Sequence, residues 1–352
     1  MISCLRRVGV DVEEEHVSVW DGERNSWGAG PGRAARLAVA ETRLLTRRRR
    51  RDFDAMIVGY PGHFDLPAAR RLAGGRPIVF NPLVSLADTL VSDRGRFRSG
   101  SLAARALEAV DRGAFRAATV VVADTDAQAQ FFAALAGLDE VPVCFVGAED
   151  RLFRPGWTPP ARFVALFIGK LIPLQGVETI LAAARLAPEV DFRIVGSGQR
   201  DNLLVSRPAN VEHVPWLDYE LLPGAIRSSG CALGIFGTGA KARRVIPNKA
   251  FQALACGVPL ITADTPAARE LLVDGESALL VPAGDAQALT DGTSALLVPP
   301  GDPEALAGAV RRLAGDVELA RRIAAGGRST YERQAGEPVL GERWRELIER
   351  LL

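Results

Sequence analysis

A chain of 352 residues is about twice the size of a common domain, so two globular units are expected. With 48% hydrophobic and 24% charged residues it has the composition of a soluble globular protein and lies far from that of a disordered one. Lys and Arg number 43 against 42 Asp and Glu, a net charge of +1, so no global field recruits nucleic acid and no nucleic-acid partner is expected. Cys4, Cys144, Cys231 and Cys256 form no CxxC pair for zinc or redox chemistry, which reads as a reducing, cytoplasmic setting. No apolar run reaches the eighteen or so residues of a spanning helix, and the opening MISCLRRVGVDVEEEHV loses its apolar character too early for a signal-peptide core.

In chain order, HVSVW (16–20), AMIVGY (55–60), PIVF (77–80) and TVVVAD (119–124) read as short strands. Helices are predicted in PAARRLAG after residue 66 and in SLAARALEAVDRGAFRAA from residue 101, the latter with Leu102, Ala106, Ala109 and Val110 as its apolar stripe. Strands alternating with helices predict an α/β fold with a mostly parallel sheet covered on both faces. The run Arg47 to Arg51 ends a candidate helix. Its plain reading is a solvated helix terminus favoured by the dipole; its functional alternative is a peripheral contact with anionic lipid at the inner face of a membrane.

The proline-broken stretch EDRLFRPGWTPPARF has neither helix nor strand period and sets a domain boundary near residue 155. Beyond it FVALFIG reads as a strand, KLIPLQG as a loop, and VETILAAARLA as a helix burying Val177, Ile180, Leu181 and Ala184. DFRIVGSG is a strand and turn, CALGIFG (231–237) a strand, NKAFQALACG a short helix and VPLITAD a strand. TPAARELLVDG carries a helix start at Thr265 and Pro266 and a stop at Gly275. DGESALLVPAGDAQAL from Asp274 recurs as DGTSALLVPPGDPEAL from Asp291. A tandem duplication with one copy looped out explains the pair, the alternative being an insertion that reshapes a cleft rim.

Only three of the basic residues are lysines, Lys170, Lys241 and Lys249, all beside glycine- or proline-rich turns. Gly169 ends a strand and leads through a loop into a helix, so backbone N–H groups there suit a diphosphate, with Lys170 adding charge. The turn Gly196 to Gly198 ends the next strand and reads as a tight turn or a second phosphate-facing loop. Neither matches GxGxxG or GxxxxGK[ST], which argues against a nicotinamide enzyme and a P-loop phosphotransferase. Lys241, Arg243, Arg244 and Lys249 gather positive charge, with Gln252 one helical turn past Lys249 and Glu270 near the start of the next helix. Lys and Arg there suit phosphate, and Gln252 and Glu270 suit sugar or ribose hydroxyls. His63, in YPGHFD after a strand, is a candidate active-site group or an ordinary loop histidine. No metal-ligand spacing, DxD-like motif or GxSxG elbow is present, so neither a metal nor a hydrolase triad is expected.

Those residues resemble the sugar-nucleotide glycosyltransferases of GT-B fold, two facing Rossmann-like domains around a cleft, and within them family 4, or group 1. The similarity is strongest over residues 141–310: VPVCFVGAEDRLFRPG resembles the interdomain stretch, FIGKLIPLQGVETILAA the glycine loop, IVGSG the next turn, and VIPNKAFQALACGVPLITADTPAARELLVDGESALLVPAGD is the most specific match. The resemblance implies an acceptor-side domain at 1–155, a nucleotide-sugar domain at 156–330, and a terminal helix over 331–352, including Trp344, that packs back on the first domain. It implies retaining transfer from a nucleoside-diphosphate sugar to a hydroxyl acceptor, with Lys170, Arg244 and Lys249 stabilising the diphosphate and His63 in the cleft. Gly169, Gly196, Gly198, Lys249, Gln252 and Glu270 form the donor site, and Asn81 lies on the acceptor side. The chain departs from the family pattern at Gln175, where a second cation is usual, at Gln252, where a glutamate is usual, and at Arg244, which takes the spacing of the first of two paired glutamates. Relatives usually open with a strand and glycine loop before a segment like RRVGVDVEEEHVSVW, so the first sheet is expected to lack a strand. The departures leave two alternatives, a nucleotide-sugar-binding protein without turnover and a sugar-nucleotide epimerase.

Overall fold

The computed structural model of the chain describes residues 1–17, 31–48, 52–273, 275–281 and 301–352. Its first part runs α1 (Ile2–Arg7), α2 (Pro31–Thr46), β1 (Met56–Val58), α3 (Leu66–Ala73), β2 (Ile78–Phe80), a π-helical turn (Asp88–Asp93), α4 (Leu102–Ala117), β3 (Val120–Val121) and α5 (Asp126–Ala136). The three strands pair in parallel in the order β1-β2-β3. Residues 151–163 form the connector, without helix or strand.

The second part runs β4 (Val164–Ile168), α6 (Val177–Leu186), β5 (Asp191–Val195), β6 (Val211–Val214), α7 (Leu222–Arg227), β7 (Cys231–Leu233), α8 (Asn248–Cys256), β8 (Leu260–Ala263), α9 (Pro266–Leu271) and β9 (Leu279–Val281). Then come α10 (Pro303–Gly315), α11 (Val317–Gln334) and α12 (Glu337–Glu349). All six strands are parallel, in the order β6-β5-β4-β7-β8-β9. Order reverses at β4, and the turns leaving β4 and β5 stand at the carboxyl ends of the strands, where open α/β sheets place ligands.

The two sheets give two Rossmann-like lobes; one apolar cluster fills the C lobe and extends to Val79 and Val122 of the N lobe, and a second lies wholly within the N lobe. In the N lobe Phe80, Phe115 and Phe132 are fully enclosed; in the C lobe Phe167, Phe192, Phe236 and Phe251 are. The predicted stripe of α6 is buried at all four positions. The stripe predicted for α4 is not: Leu102 is 84% exposed, and the helix buries Ala104, Asp111, Ala114 and Phe115. The periodicity misled because the core face is anchored by a carboxylate, Asp111, which accepts from Ser85 Oγ (2.6 Å) and the N–H groups of Leu86 (2.8 Å) and Ala87 (3.0 Å). α5 was missed, although Thr125 caps it by accepting from Gln128 N–H and Gly137 ends it in the left-handed region.

Thr265 caps α9 by accepting from Ala268 N–H with Pro266 at the first position, as its sequence signals require, but the helix ends by Leu271 rather than at Gly275. Of the strand expected at 16–20, His16 and Val17 lie in no strand and the rest falls outside the described residues. Most of the duplicated segment and residues 49–51 of the arginine run fall outside them as well. α12 lies on α1 so closely that a Cβ at Gly341 would stand 2.4 Å from the Cys4 carbonyl oxygen, and Trp344 is buried. Among the described residues no helix is long and apolar enough to cross a membrane.

Candidate active site

The turns after β4 and β5 are zipped together through their backbones: Gly169 N–H donates to Val195 O (2.9 Å), Leu171 N–H to Ser197 O (3.2 Å) and Arg200 N–H to Leu171 O (2.9 Å). Such an approach leaves no space for side chains. At Gly196, with φ at +132°, a Cβ would stand 2.0 Å from Gly169 O, and at Gly198 it would stand 2.7 Å from Leu171 O. Gly169, Gly196 and Gly198 therefore form one platform rather than two loops.

Lys249, on the first turn of α8, reaches this platform from within the lobe. Its Nζ stands 2.9 Å from where a Cβ on Gly169 would be, donates to Gln175 Oε1 (2.5 Å) and Gly234 O (3.3 Å), and lies 3.5 Å from the centre of the Phe167 ring. These partners are neutral, and burial holds the amine well below its ordinary pKa. A cation sunk among neutral partners is unfavourable unless an anion joins it. Gln175, which breaks the family pattern, is the amide that holds Lys249; a lysine there would set two buried ammoniums side by side. Lys170 is exposed at the platform's edge, its pKa lowered by partial burial and by the charge of Arg94.

Gln252, one turn along α8, is buried. It lines a cavity of about 320 Å³ with Ser3, Gly147, Glu149, Tyr219 and Asn248. An amide, an acid and a phenol around such a space suit a polyhydroxylated ligand.

The remaining predicted residues lie elsewhere. His63 is enclosed in the N lobe, its ring packed at 5.2 Å from Phe80 and 5.8 Å from Phe115, with Nδ1 2.6 Å from Pro61 O and Nε2 3.3 Å from Asp111 Oδ1. Desolvation pushes its pKa down against the opposing pull of the Pro61 carbonyl and Asp111. The histidine expected in a cleft thus has no exposed side-chain surface in this structure. Asn81 is buried too, its Nδ2 donating to Val122 O (3.2 Å) at the carboxyl end of β2.

Arg244 and Glu270 grip the N lobe. Arg244 pairs with Asp88 (2.9 Å) and stacks on Phe131 (4.0 Å), while its carbonyl accepts from Thr125 Oγ1 (2.5 Å). Lys241, buried beside it, donates to Thr89 Oγ1 (2.7 Å). Glu270 accepts from the N–H groups of Asp126 (2.6 Å) and Ala127 (2.9 Å), capping α5 from across the seam. Both carboxylate oxygens, expected to face hydroxyls, are here taken by two N–H groups that a helix start leaves without intrahelical partners. Replacing Glu270 by alanine is expected to cost about 1–2 kcal/mol, the worth of a lost cap, read as a lower denaturation midpoint; an unchanged midpoint would contradict this assignment.

Sequence reasoning missed Asp88, Thr89 and Thr125, since contacts between lobes leave no periodic signal. Among the described residues no group of three or more His, Cys, Asp or Glu side chains is placed to hold a metal ion.

The fold is GT-B, and residues 162–297 match the family model Glycosyl transferases group 1. Among solved structures the chain is similar to sucrose-phosphate synthase from Thermosynechococcus elongatus, with a TM-score of 0.70 at 16% identity over 91% of this chain and 78% of that one. It is also similar to Anabaena Alr3699/HepE in complex with UDP-glucose, with a TM-score of 0.65 at 16% identity over 90% of this chain and 82% of that one. In sequence it is 32% identical over 134 residues to a phosphatidyl-myo-inositol mannosyltransferase of Mycobacterium leprae (strain TN). That segment is 35% of this chain and spans only 34% of the relative's length.

Proposed function

We propose that the protein is a glycosyltransferase that moves a sugar from a nucleoside-diphosphate sugar to a hydroxyl acceptor with retention of configuration. The observation that carries the reading is Lys249: a buried lysine amine with neutral partners, set against the glycine platform at the carboxyl ends of β4 and β5. A diphosphate over the platform would supply the missing anion, and the same charge would stabilise the departing nucleoside diphosphate as the glycosidic bond breaks. Lys170 adds charge at the edge, and Gln252 with its cavity suits the hydroxyl-rich part of the donor. Residues 156–330 are then the donor domain, residues 1–155 the acceptor side, and residues 331–352 a strap to the first domain. The UDP-glucose complex of HepE and the mannosyltransferase relative support a nucleotide-sugar donor.

The test is release of nucleoside diphosphate from UDP-glucose, GDP-mannose and related donors, with and without an acceptor panel of polyols, sugars and phosphoinositide vesicles. Acceptor-dependent release supports transfer. Epimerised donor without acceptor favours the epimerase reading, and binding without turnover favours the binding-protein reading that Gln175 and Gln252 motivate. Vesicle-dependent turnover would bring in the membrane contact suggested by Arg47 to Arg51.

A further inference from the structure

The cavity beside Gln252 has two sides. Tyr219, Asn248 and Gln252 of the C lobe form one; the start of α1, with Ser3, and residues 146–149, with Glu149, form the other. Both parts of the second side are held by the last two helices. Gly147, with φ at +71°, lies so close to them that a Cβ there would stand 2.5 Å from Leu340 Cδ1 and 2.7 Å from Ala335 O. The Ala148 carbonyl accepts from the Tyr331 hydroxyl of α11 (3.2 Å), and α1 rests on Gly341 of α12 through Cys4. These contacts converge on Asp150, the residue after Glu149. One of its carboxylate oxygens accepts from the Tyr331 hydroxyl (2.8 Å). The other accepts from the N–H of Glu337 at the start of α12 (3.3 Å) and stands 3.6 Å from Arg7 of α1, whose guanidinium also meets the Glu337 carboxylate (3.3 Å).

We propose that Asp150 is a positioning residue for the donor: by joining α1, α11 and α12 at one carboxylate, it sets the wall from which Ser3 and Glu149 meet the hydroxyls of a ligand held on its other side by Gln252. The proposal rests on the nucleotide-sugar reading of the site and adds to it the residue that fixes the opposite wall of the cavity. A carboxylate suits the task because its two oxygens have acceptor sites enough for all three donors. The Glu337 N–H has no partner inside α12, so its acceptor must come from outside the helix, and negative charge is favourable at that end. Arg7 bridges two carboxylates and so draws α1 to the same point. With only six residues α1 is too short to be a stable helix by itself, and the wall it forms depends on these contacts. The ligand chemistry is a set of adjacent hydroxyls, for which a serine, a carboxylate and an amide are matched donors and acceptors. The ribose of the nucleotide and the transferred sugar are its two sources. Asn248, next to Lys249 in the chain, sets the cavity beside the residue proposed to hold the diphosphate.

The test is calorimetric binding of UDP, GDP, UDP-glucose, GDP-mannose and inorganic pyrophosphate to the full chain and to Asp150→Ala. Asp316→Ala, which removes the cap at the start of α11 and lies outside the cavity lining, is the control. Asp150→Ala is expected to bind the preferred nucleotide about tenfold more weakly, the worth of one hydrogen bond, with pyrophosphate affinity unchanged. Asp316→Ala should lower the thermal midpoint and keep every affinity. Asp150→Asn, which retains an acceptor oxygen but not the charge that draws Arg7, should recover part of the loss. Should Asp150→Ala not fold, Tyr331→Phe, which removes only the hydroxyl, reads the same selective loss at smaller size. A loss shared by the nucleoside diphosphate and its sugar conjugate supports the proposal with the ribose in the cavity, and a loss confined to the conjugate supports it with the transferred sugar there. Unchanged nucleotide affinity in Asp150→Ala, an equal loss for pyrophosphate, or a matching loss in Asp316→Ala would overturn the proposal while leaving the nucleotide-sugar reading intact. No binding of any nucleotide or of pyrophosphate to the wild type would overturn both the proposal and the reading beneath it.

Discussion

Replacing Lys249 by methionine is expected to weaken nucleoside-diphosphate binding about a hundredfold, within the range found when one member of a buried charge pair is removed. The fold should persist, because methionine follows the same path past Phe167 and takes away a charge that is costly to bury. The comparison also has a proton signature. In the ligand-free chain burial holds the amine pKa well below its ordinary value of 10.5, and a diphosphate beside it favours the ammonium. Above the lowered pKa, binding therefore takes up a proton, and affinity falls as pH rises. Calorimetry in buffers of different ionisation enthalpy should show this uptake in the wild type and not in Lys249→Met. The sign for folding is opposite. The unfolded lysine takes its proton below about pH 10.5 while the folded one resists, so the lysine's burial costs stability progressively as pH falls from there to the lowered pKa. Identical affinities and identical proton uptake in the two proteins would remove Lys249 from the donor site.

The largest effect on the fold is expected at Gly196. An alanine there must adopt φ near +132° and place its Cβ 2.0 Å from the Gly169 carbonyl oxygen, so the two turns have to separate. A loss of roughly 3 kcal/mol or more follows from combining a strained backbone with a clash that no flexible side chain can relieve. Nucleotide binding should vanish with it, since the platform is the joined pair of turns. Gly113 gives the contrast. It is exposed on α4 with nothing within 4 Å of a would-be Cβ, so Gly113→Ala should stabilise the chain by about 0.5–1 kcal/mol. Chemical denaturation of the three proteins measures both. A Gly196→Ala variant as stable as the wild type would mean that the turns do not meet as described.

The parts legible in the sequence were those with a local cause. Strands with apolar runs, the stripe of α6, the cap at Thr265 and the two glycine turns are each written within a few residues. The glycines could be read as turns, but nothing local says that Gly196 lies against Gly169, because that contact comes from the pairing of β4 with β5. Lys249 was visible as a rare lysine near a helix start; its depth and its amide partner Gln175 were not. Glu270 was placed near sugar hydroxyls because a carboxylate beside a basic cluster suits them, whereas the folded chain takes it to the first turn of α5, more than a hundred residues away in sequence. His63 misled for the converse reason. A loop after a strand is usually exposed, but this one folds its histidine inward onto Asp111, between aromatic rings.

The central claim is that the glycine platform with Lys249 holds a nucleoside diphosphate. The most direct measurement is calorimetric titration of the purified full chain with UDP, GDP, TDP and ADP, alongside the corresponding nucleosides. The account predicts saturable binding of one nucleoside diphosphate at least tenfold tighter than its nucleoside, with proton uptake above the lowered Lys249 pKa. Equal affinity for diphosphate and nucleoside, or no binding by a cooperatively folded sample, would contradict it.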